Sequence, residues 1–274
     1  LAVSMGEKAR VDMDYMCELT GKTEEEIFAD LKGVIFLNPM YGYGNSTQAK
    51  YLMADEYLSG NVREKLVLAR KSAELYPEDY TVNVEALERV QPKDLTASEI
   101  AVRLGATWLP TEIVEQFMFE FLGTPRYAQW NIKVHFSAYT GEWNIEGKSY
   151  DRSNVKAYST YGTGRINAYK IIEETLNLKD VRISDYVEDA DGKKKAILNK
   201  KETAIAQAKQ ELIKQGFQDW VWSDPERRER LCILYNEKFN SLRPREYDGS
   251  HIVFSGMNPE IELREHQRNA VAHI

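Results

Sequence analysis

Few residues in this chain stand where bonds could be made or broken. The four histidines, His135, His251, His266 and His273, are scattered, and none lies in an H-E-x-x-H motif or beside a cysteine. Cys17 and Cys232 fit no metal-ligand spacing and read as reduced, partly buried thiols. Asp189 and Asp191 are close in sequence but sit on a predicted turn, without the ligand spacing of a calcium loop. The loop "TYGTGR", Thr160 to Arg165, could present free backbone N–H groups to a phosphate. It lacks the Lys-Ser/Thr of a phosphate loop and the third glycine of a dinucleotide fingerprint, so a capped strand-to-helix turn is the plainer reading. What remains is positive charge. Lys193, Lys194, Lys195, Lys200 and Lys201, then Arg227, Arg228 and Arg230, with Arg165 upstream, are the candidates for contact with a nucleic-acid backbone. A solvated helix face paired with neighbouring glutamates is the competing reading. No self-sufficient active site is expected, and no metal site.

The elements that must position these residues are mainly helical, and the expected fold class is α+β. Residues 1–78 predict a helix-turn-helix-like unit. Its signals are "VDMDYMCELTG", a Thr23/Glu26 capping box before "IFADL", a strand "GVIFLNP", and a helix opened by Asn61 with Glu64 at its third position. Residues 79–150 predict three helices and a β-hairpin, the winged-helix order. These are "VNVEALERV", a helix capped by Thr96 and Glu99 that turns at Gly105, a helix from Pro110, and two strands about Thr140-Gly141. That third helix, "TEIVEQFMFEFLG", carries Glu112, Glu115 and Glu120 and no Lys or Arg. A major-groove helix needs side chains that reach base edges and phosphates, so this shape points to protein contacts. Residues 151–198 predict a small mixed α/β unit with a hairpin about Asp191-Gly192. Residues 199–274 predict a long charged helical hairpin leading into a further helix. Asn199 and Asp224 are its N-caps, and Ala204, Ile205, Ala208, Leu212 and Ile213 its first inner stripe.

The composition bounds the function. The 274 residues are 43% hydrophobic and 29% charged, with 16 Tyr, 5 Trp and 9 Phe, as in an ordinary soluble globular protein. With 36 basic and 43 acidic residues the net charge is −7, which excludes a uniformly basic nucleic-acid binder but not a local basic patch. No apolar run approaches the roughly 20 residues of a membrane span, and "LAVSMGEKAR" lacks the apolar core of a signal peptide. A cytoplasmic protein without a membrane partner is expected, and the missing initiator Met suggests a piece of something longer.

The C-terminal part carries a resemblance. "YNEKFN", "YDGSH" and "GMNPEIELREHQ" stand almost contiguously between Tyr235 and Ala270. This region resembles the segment before the ATPase core in very large methylase–helicase polypeptides of phages, plasmids and integrative elements, including the DarB-like antirestriction proteins. The likeness extends more loosely through "STYGTGRINAYKIIEETLNL", "SDPERR", "WLPTEIVEQF" and "YLSGNVREKL". In that family an adenine-specific DNA methylase is joined to a Swi/Snf-type superfamily-two helicase. "LREHQ" is similar to the glutamine motif that opens the first motor lobe. The resemblance implies that Gln267 reads the adenine of ATP through its amide, framed by Leu263 and Arg264. The Gly-Lys-Thr phosphate loop, the Asp-Glu motif and the methylase Pro-Pro-Tyr signature are missing from this sequence. ATP, Mg and S-adenosylmethionine are therefore expected for the parent polypeptide only, with no cofactor in the fragment. The expected function is a non-catalytic inter-domain region that couples or positions DNA for the motor, with the flanking methylase and helicase domains as partners. The alternative is a stand-alone DNA-binding or antirestriction module.

Overall fold

A computed structural model describes residues 1–42, 48–188, 194–247, 257–258 and 260–272. The chain is α+β and mainly helical, and the described residues form four sheets of two strands each. It divides into two compact units, Leu1–Asp94 with Asn236–Ile274, and Leu95–Tyr235.

The first unit opens with three short helices, α1 (Ala2–Lys8), α2 (Met13–Thr20) and α3 (Glu24–Asp30), then β1 (Ile35–Leu37) and β2 (Tyr51–Met53). Asp12 caps α2 by accepting from the Tyr15 N–H, and Thr23 and Glu26 form the reciprocal capping box of α3. β1 and β2 pair antiparallel, with Phe36 opposite Leu52. Because successive side chains on a strand face opposite sides, β1 serves two cores. Ile35 packs with Met13, Met16, Ile27 and Tyr51, whereas Phe36 packs with Tyr57, Val62, Leu66, Ala69 and Leu87. The second core is enclosed by α4 (Ala54–Tyr57), β3 (Gly60–Asn61) and the paired helices α5 (Val62–Leu75) and α6 (Pro77–Arg89). Three helices and an antiparallel ribbon, the order expected at 79–150, thus occur at residues 2–53.

The second unit begins with an extended stretch rather than the helix expected over 96–104. Glu99 accepts from the Thr96 N–H, half of the expected box, but only one turn closes. Beyond it Ile100, Val102 and Leu104 are buried while Ala101 and Arg103 are exposed, a period of two that a helix cannot satisfy. Gly105 then turns at φ +96°, and a Cβ there would lie 2.5 Å from the Leu176 carbonyl oxygen. Next come α7 (Thr111–Leu122), the single turn α8 (Arg126–Gln129), and the hairpin β4 (Lys133–Ser137) and β5 (Glu142–Glu146). A π-helical turn, Lys156–Thr160, leads to α9 (Ala168–Leu176). The ribbon β6 (Ser184–Glu188) and β7 (Lys194–Leu198) follows, then α10 (Lys200–Val221) and α11 (Pro225–Phe239). The expected Asp191-Gly192 turn lies outside the described residues. One core unites this unit, with Phe117, Met118, Leu122, Ile145, Tyr169, Ile172, Phe217 and Leu231 among its members. α7 is central to that core, burying Ile113, Val114, Phe117, Met118 and Leu122.

Two expectations are corrected here. α10 packs on α9 and α7 more than on α11, so the charged helical hairpin is not an independent arm. Its buried seam is Thr203, Ala206, Gln210, Ile213, Phe217 and Val221, while Ile205 and Leu212 of the expected stripe are exposed. The seam is rotated because Thr203 and Gln210 turn inward to bond the backbone of the extended segment 179–183. Thr203 Oγ1 accepts from the Ile183 N–H at 3.0 Å, and Gln210 Oε1 accepts from the Val181 N–H at 3.1 Å.

The returning segment 236–274 joins the first unit through β8 (Leu242–Arg243), which pairs with β3, and ends in α12 (Glu265–Ala272). Arg245 bonds Asp55 at 2.7 Å. The four segments read from sequence therefore do not coincide with the two units. The division at 78/79 falls inside α6, and those at 150/151 and 198/199 cut the second core.

Candidate nucleic-acid interface

Arg165, Lys195, Lys200 and Lys201 belong to the β6–β7 ribbon and the elements that meet it at the start of α10. β6 and β7 pair antiparallel, with Val187 opposite Lys195 and Asp185 opposite Ile197. The ribbon is solvated along both strands: Tyr186, Val187, Lys195, Ile197 and Leu198 are all exposed. Its chemistry turns on Asp185. Asn199 Nδ2 donates to Asp185 Oδ2 at 2.8 Å, and Arg165 Nη2 donates to its Oδ1 at 2.9 Å. Asn199 first, then Arg165, hold this carboxyl below its ordinary value. Arg165 also donates to the Ser184 carbonyl at 3.0 Å. The carboxylate thus fastens the loop before α9 and the N-cap of α10 to one strand.

Asn199 caps α10 by accepting from the Glu202 N–H at 3.0 Å. Lys200 and Lys201, both exposed, therefore occupy the first turn of a 22-residue helix. Cations at the positive end of a helix dipole each cost roughly 0.3–1 kcal/mol. Only Glu202 offsets them in that turn. An anion in front of this turn would be met by Lys200, Lys201 and the dipole itself, with Lys195 further back on β7. Lys194 lies on β7, and Lys193 falls outside the described residues.

The arginine group is elsewhere. It follows the C-terminal end of α10, a helix roughly 33 Å long at 1.5 Å per residue. Arg228 and Arg230 are exposed on α11, but Arg227 is 6% exposed and turned inward. Its guanidinium donates to the carbonyls of Val221 (3.1 Å) and Trp220 (2.7 Å) and to Ser223 Oγ (3.1 Å), and lies 3.6 Å over the Trp220 ring. Arg227 closes the end of α10, where helical carbonyls have no partner of their own. Its Nε and Nη2 donors are spent inside the protein.

Gln267 stands at the third position of α12. Its Oε1 accepts from the Arg264 N–H at 2.9 Å, half of a capping box. Reading an adenine through both amide atoms would require breaking that bond. Arg264 is exposed and Leu263 half-buried, so the described residues assemble no nucleotide pocket about Gln267. No cluster of three metal-ligating side chains occurs among the described residues. No helix among them is long and apolar enough to cross a membrane.

Sequence reading missed the polar side chains that close strand edges. Glu115 on α7 accepts from the Val134 N–H at 2.8 Å, and Glu173 on α9 accepts from the Ile145 N–H at 2.8 Å. Asn177 bonds both backbone groups of Trp143. Their only signal was a polar residue beside an apolar face. Glu173 is also bonded by Lys148 and Lys170. The α3 helix of the first unit is acidic, with Glu24 held by Lys50 (2.6 Å) and the Tyr51 hydroxyl (2.7 Å), so it offers no phosphate-binding face.

Comparison with known proteins agrees with this layout in two places. Residues 1–45 match the family model described as the winged helix domain of probable helicases. The matched stretch covers α1 to β1, and the region is a helicase-associated one. Residues 103–241 match the model of a domain of unknown function, DUF8437, which covers nearly all of the second unit. No curated protein and no solved structure matches the chain.

Proposed function

The chain belongs to the family described as a domain of unknown function, DUF8437, and we propose that it is a non-catalytic region that positions DNA for an ATP-dependent helicase motor. The observation that carries this reading is the helicase winged-helix match at residues 1–45, on three helices and a first strand whose small core is completed by Tyr51 of β2. The acidic α3 suits a winged helix that docks on protein. The phosphate contacts fall to Lys195, Lys200 and Lys201 at the β6–β7 ribbon, with Lys194 on the same strand. In this reading the parent polypeptide is of the methylase–helicase, DarB-like kind, its motor is of superfamily two, and ATP, Mg and S-adenosylmethionine serve the parent alone.

The test is made in the parent polypeptide. Alanine at Lys195, Lys200 and Lys201 together should lower DNA-stimulated ATP hydrolysis while leaving DNA-free hydrolysis intact. Unchanged stimulation contradicts the reading. A stand-alone DNA-binding or antirestriction module is the second reading, favoured by the separate core of the winged-helix stretch. It requires the isolated chain to prefer one duplex sequence, and a gel-shift series without such a preference excludes it.

A further inference from the structure

Away from the β6–β7 ribbon, the second unit presents large aromatic side chains to solvent. Trp130 is 82% exposed, Tyr127 63% and Tyr150 61%. A monomer gains nothing by holding such rings in water, and single exposed residues need no explanation, but these are brought together. Segment 147–156 runs along segment 122–131 and touches it at three places. Asn154 Nδ2 donates to the Leu122 carbonyl at 3.1 Å. The Lys156 side chain lies beside Gly123. The position of a Cβ on Gly147 would be 2.0 Å from the Asn131 carbonyl oxygen and 3.2 Å from the Tyr150 ring. Asn131 in turn donates to the Tyr127 carbonyl at 3.2 Å.

The charge carried by these two stretches is nearly all of one sign, with the exposed Glu146 directly before Gly147. Stretches 123–133 and 147–160 contain Arg126, Lys133, Lys148, Arg152 and Lys156 against a single acid, Asp151. That acid is 1% exposed, and its Oδ2 is bonded by Tyr169 (2.6 Å) and Asn154 (2.6 Å). Arg126, Arg152 and Lys156 are exposed and have no ion pair among the described residues. Exposed rings with exposed cations on the same two stretches match a strand whose bases are free to stack and whose phosphates need neutralising. A duplex keeps its bases stacked on one another and offers the rings nothing.

We propose that Trp130, Tyr127 and Tyr150, with Arg126, Arg152 and Lys156, form a stacking platform for single-stranded nucleic acid. This deepens the DNA-positioning reading by naming a single strand as the ligand of a second surface. It is separable from that reading, because none of these residues belongs to the β6–β7 ribbon.

The test uses the full chain and fluorescence anisotropy with a labelled 20-nucleotide oligothymidine and a 20-base-pair duplex. The oligothymidine should bind the more tightly of the two in low salt. Trp130→Ala should weaken that binding roughly 5- to 150-fold, the span expected for one lost base–aromatic stack. Trp130→Phe should recover part of it, and thermal melting should be unchanged, since the side chain is almost fully solvated. The Arg126→Ala/Arg152→Ala pair should flatten the salt dependence of oligothymidine binding. Absence of oligothymidine binding overturns the proposal, as does binding that Trp130→Ala leaves intact, and the patch would then be a protein-docking surface. Loss of duplex contact in the Lys195/Lys200/Lys201 variant would not bear on it.

Discussion

Asn177, at the C-terminal cap of α9, holds both backbone groups of Trp143 on β5: its Oδ1 accepts from the Trp143 N–H at 2.9 Å, and its Nδ2 donates to the Trp143 carbonyl at 2.8 Å. One turn earlier, Glu173 takes the N–H of Ile145. The spacing is a geometric match. Four residues rise about 6 Å along a helix, and two residues advance about 6.8 Å along an antiparallel strand. The helix therefore supplies, through side chains, the ladder that a third strand would have made. With Glu115 bonded to Val134 on the other strand, both outer edges of the β4–β5 hairpin are engaged. Asn177→Ala leaves two backbone groups of a buried residue without partners. The expected loss is about 2–6 kcal/mol of unfolding free energy, at 1–3 kcal/mol for each of the two orphaned groups, read from urea denaturation.

Glu173 makes the same edge sensitive to acid. Burial pushes its carboxyl up, but hydrogen bonds from Lys148, Lys170 and the Ile145 N–H outweigh burial, and the net shift is downward from 4.5. A carboxyl lowered by folding contributes stability above its unfolded pKa and loses it as pH falls through the folded value. The second unit should therefore lose stability below about pH 4.5. Glu173→Gln should be less stable at pH 7 and flatter between pH 5 and 3, as measured by thermal melting across that range.

Arg227 and the lysines of α10 should separate cleanly. Arg227→Met removes three hydrogen bonds and a stacked guanidinium from the end of α10, so it should cost about 2–3 kcal/mol of stability. It should leave the salt dependence of DNA binding unchanged. A variant that keeps its melting temperature while losing DNA affinity would return Arg227 to the interface.

Gly105 tests the packing of the extended segment on α9. At φ +96°, with the Leu176 oxygen 2.5 Å from any Cβ, Gly105→Ala meets both backbone strain and a clash. A loss of roughly 2–4 kcal/mol is expected, checked by chemical denaturation.

Local signals in the sequence were reliable where they concerned a few adjacent residues. The Thr23/Glu26 box, the Asn61 and Asn199 caps and the β4–β5 turn all form where their residues predict them. Thr96/Glu99 shows the limit of such a signal, because half a box closes one turn there without a helix following. The rotated seam of α10 was illegible for a physical reason. Amphipathicity assigns Thr203 and Gln210 to solvent, whereas here their polar atoms are worth more on unpaired backbone groups of segment 179–183. The basic residues read as one cluster are two, because α10 carries them to opposite ends. Asp185 escaped notice since its partners, Arg165 and Asn199, lie 20 and 14 residues away in sequence.

The central claim is that Lys195, Lys200 and Lys201 meet DNA phosphates, and the salt dependence of duplex affinity tests it most directly. Each phosphate contact contributes about −0.9 to the slope of log affinity against log salt. Replacing the three lysines by alanine should make the slope shallower by about 2 to 3 at unchanged melting temperature. An unchanged slope, or no measurable duplex binding by the wild-type chain at low salt, would contradict the account.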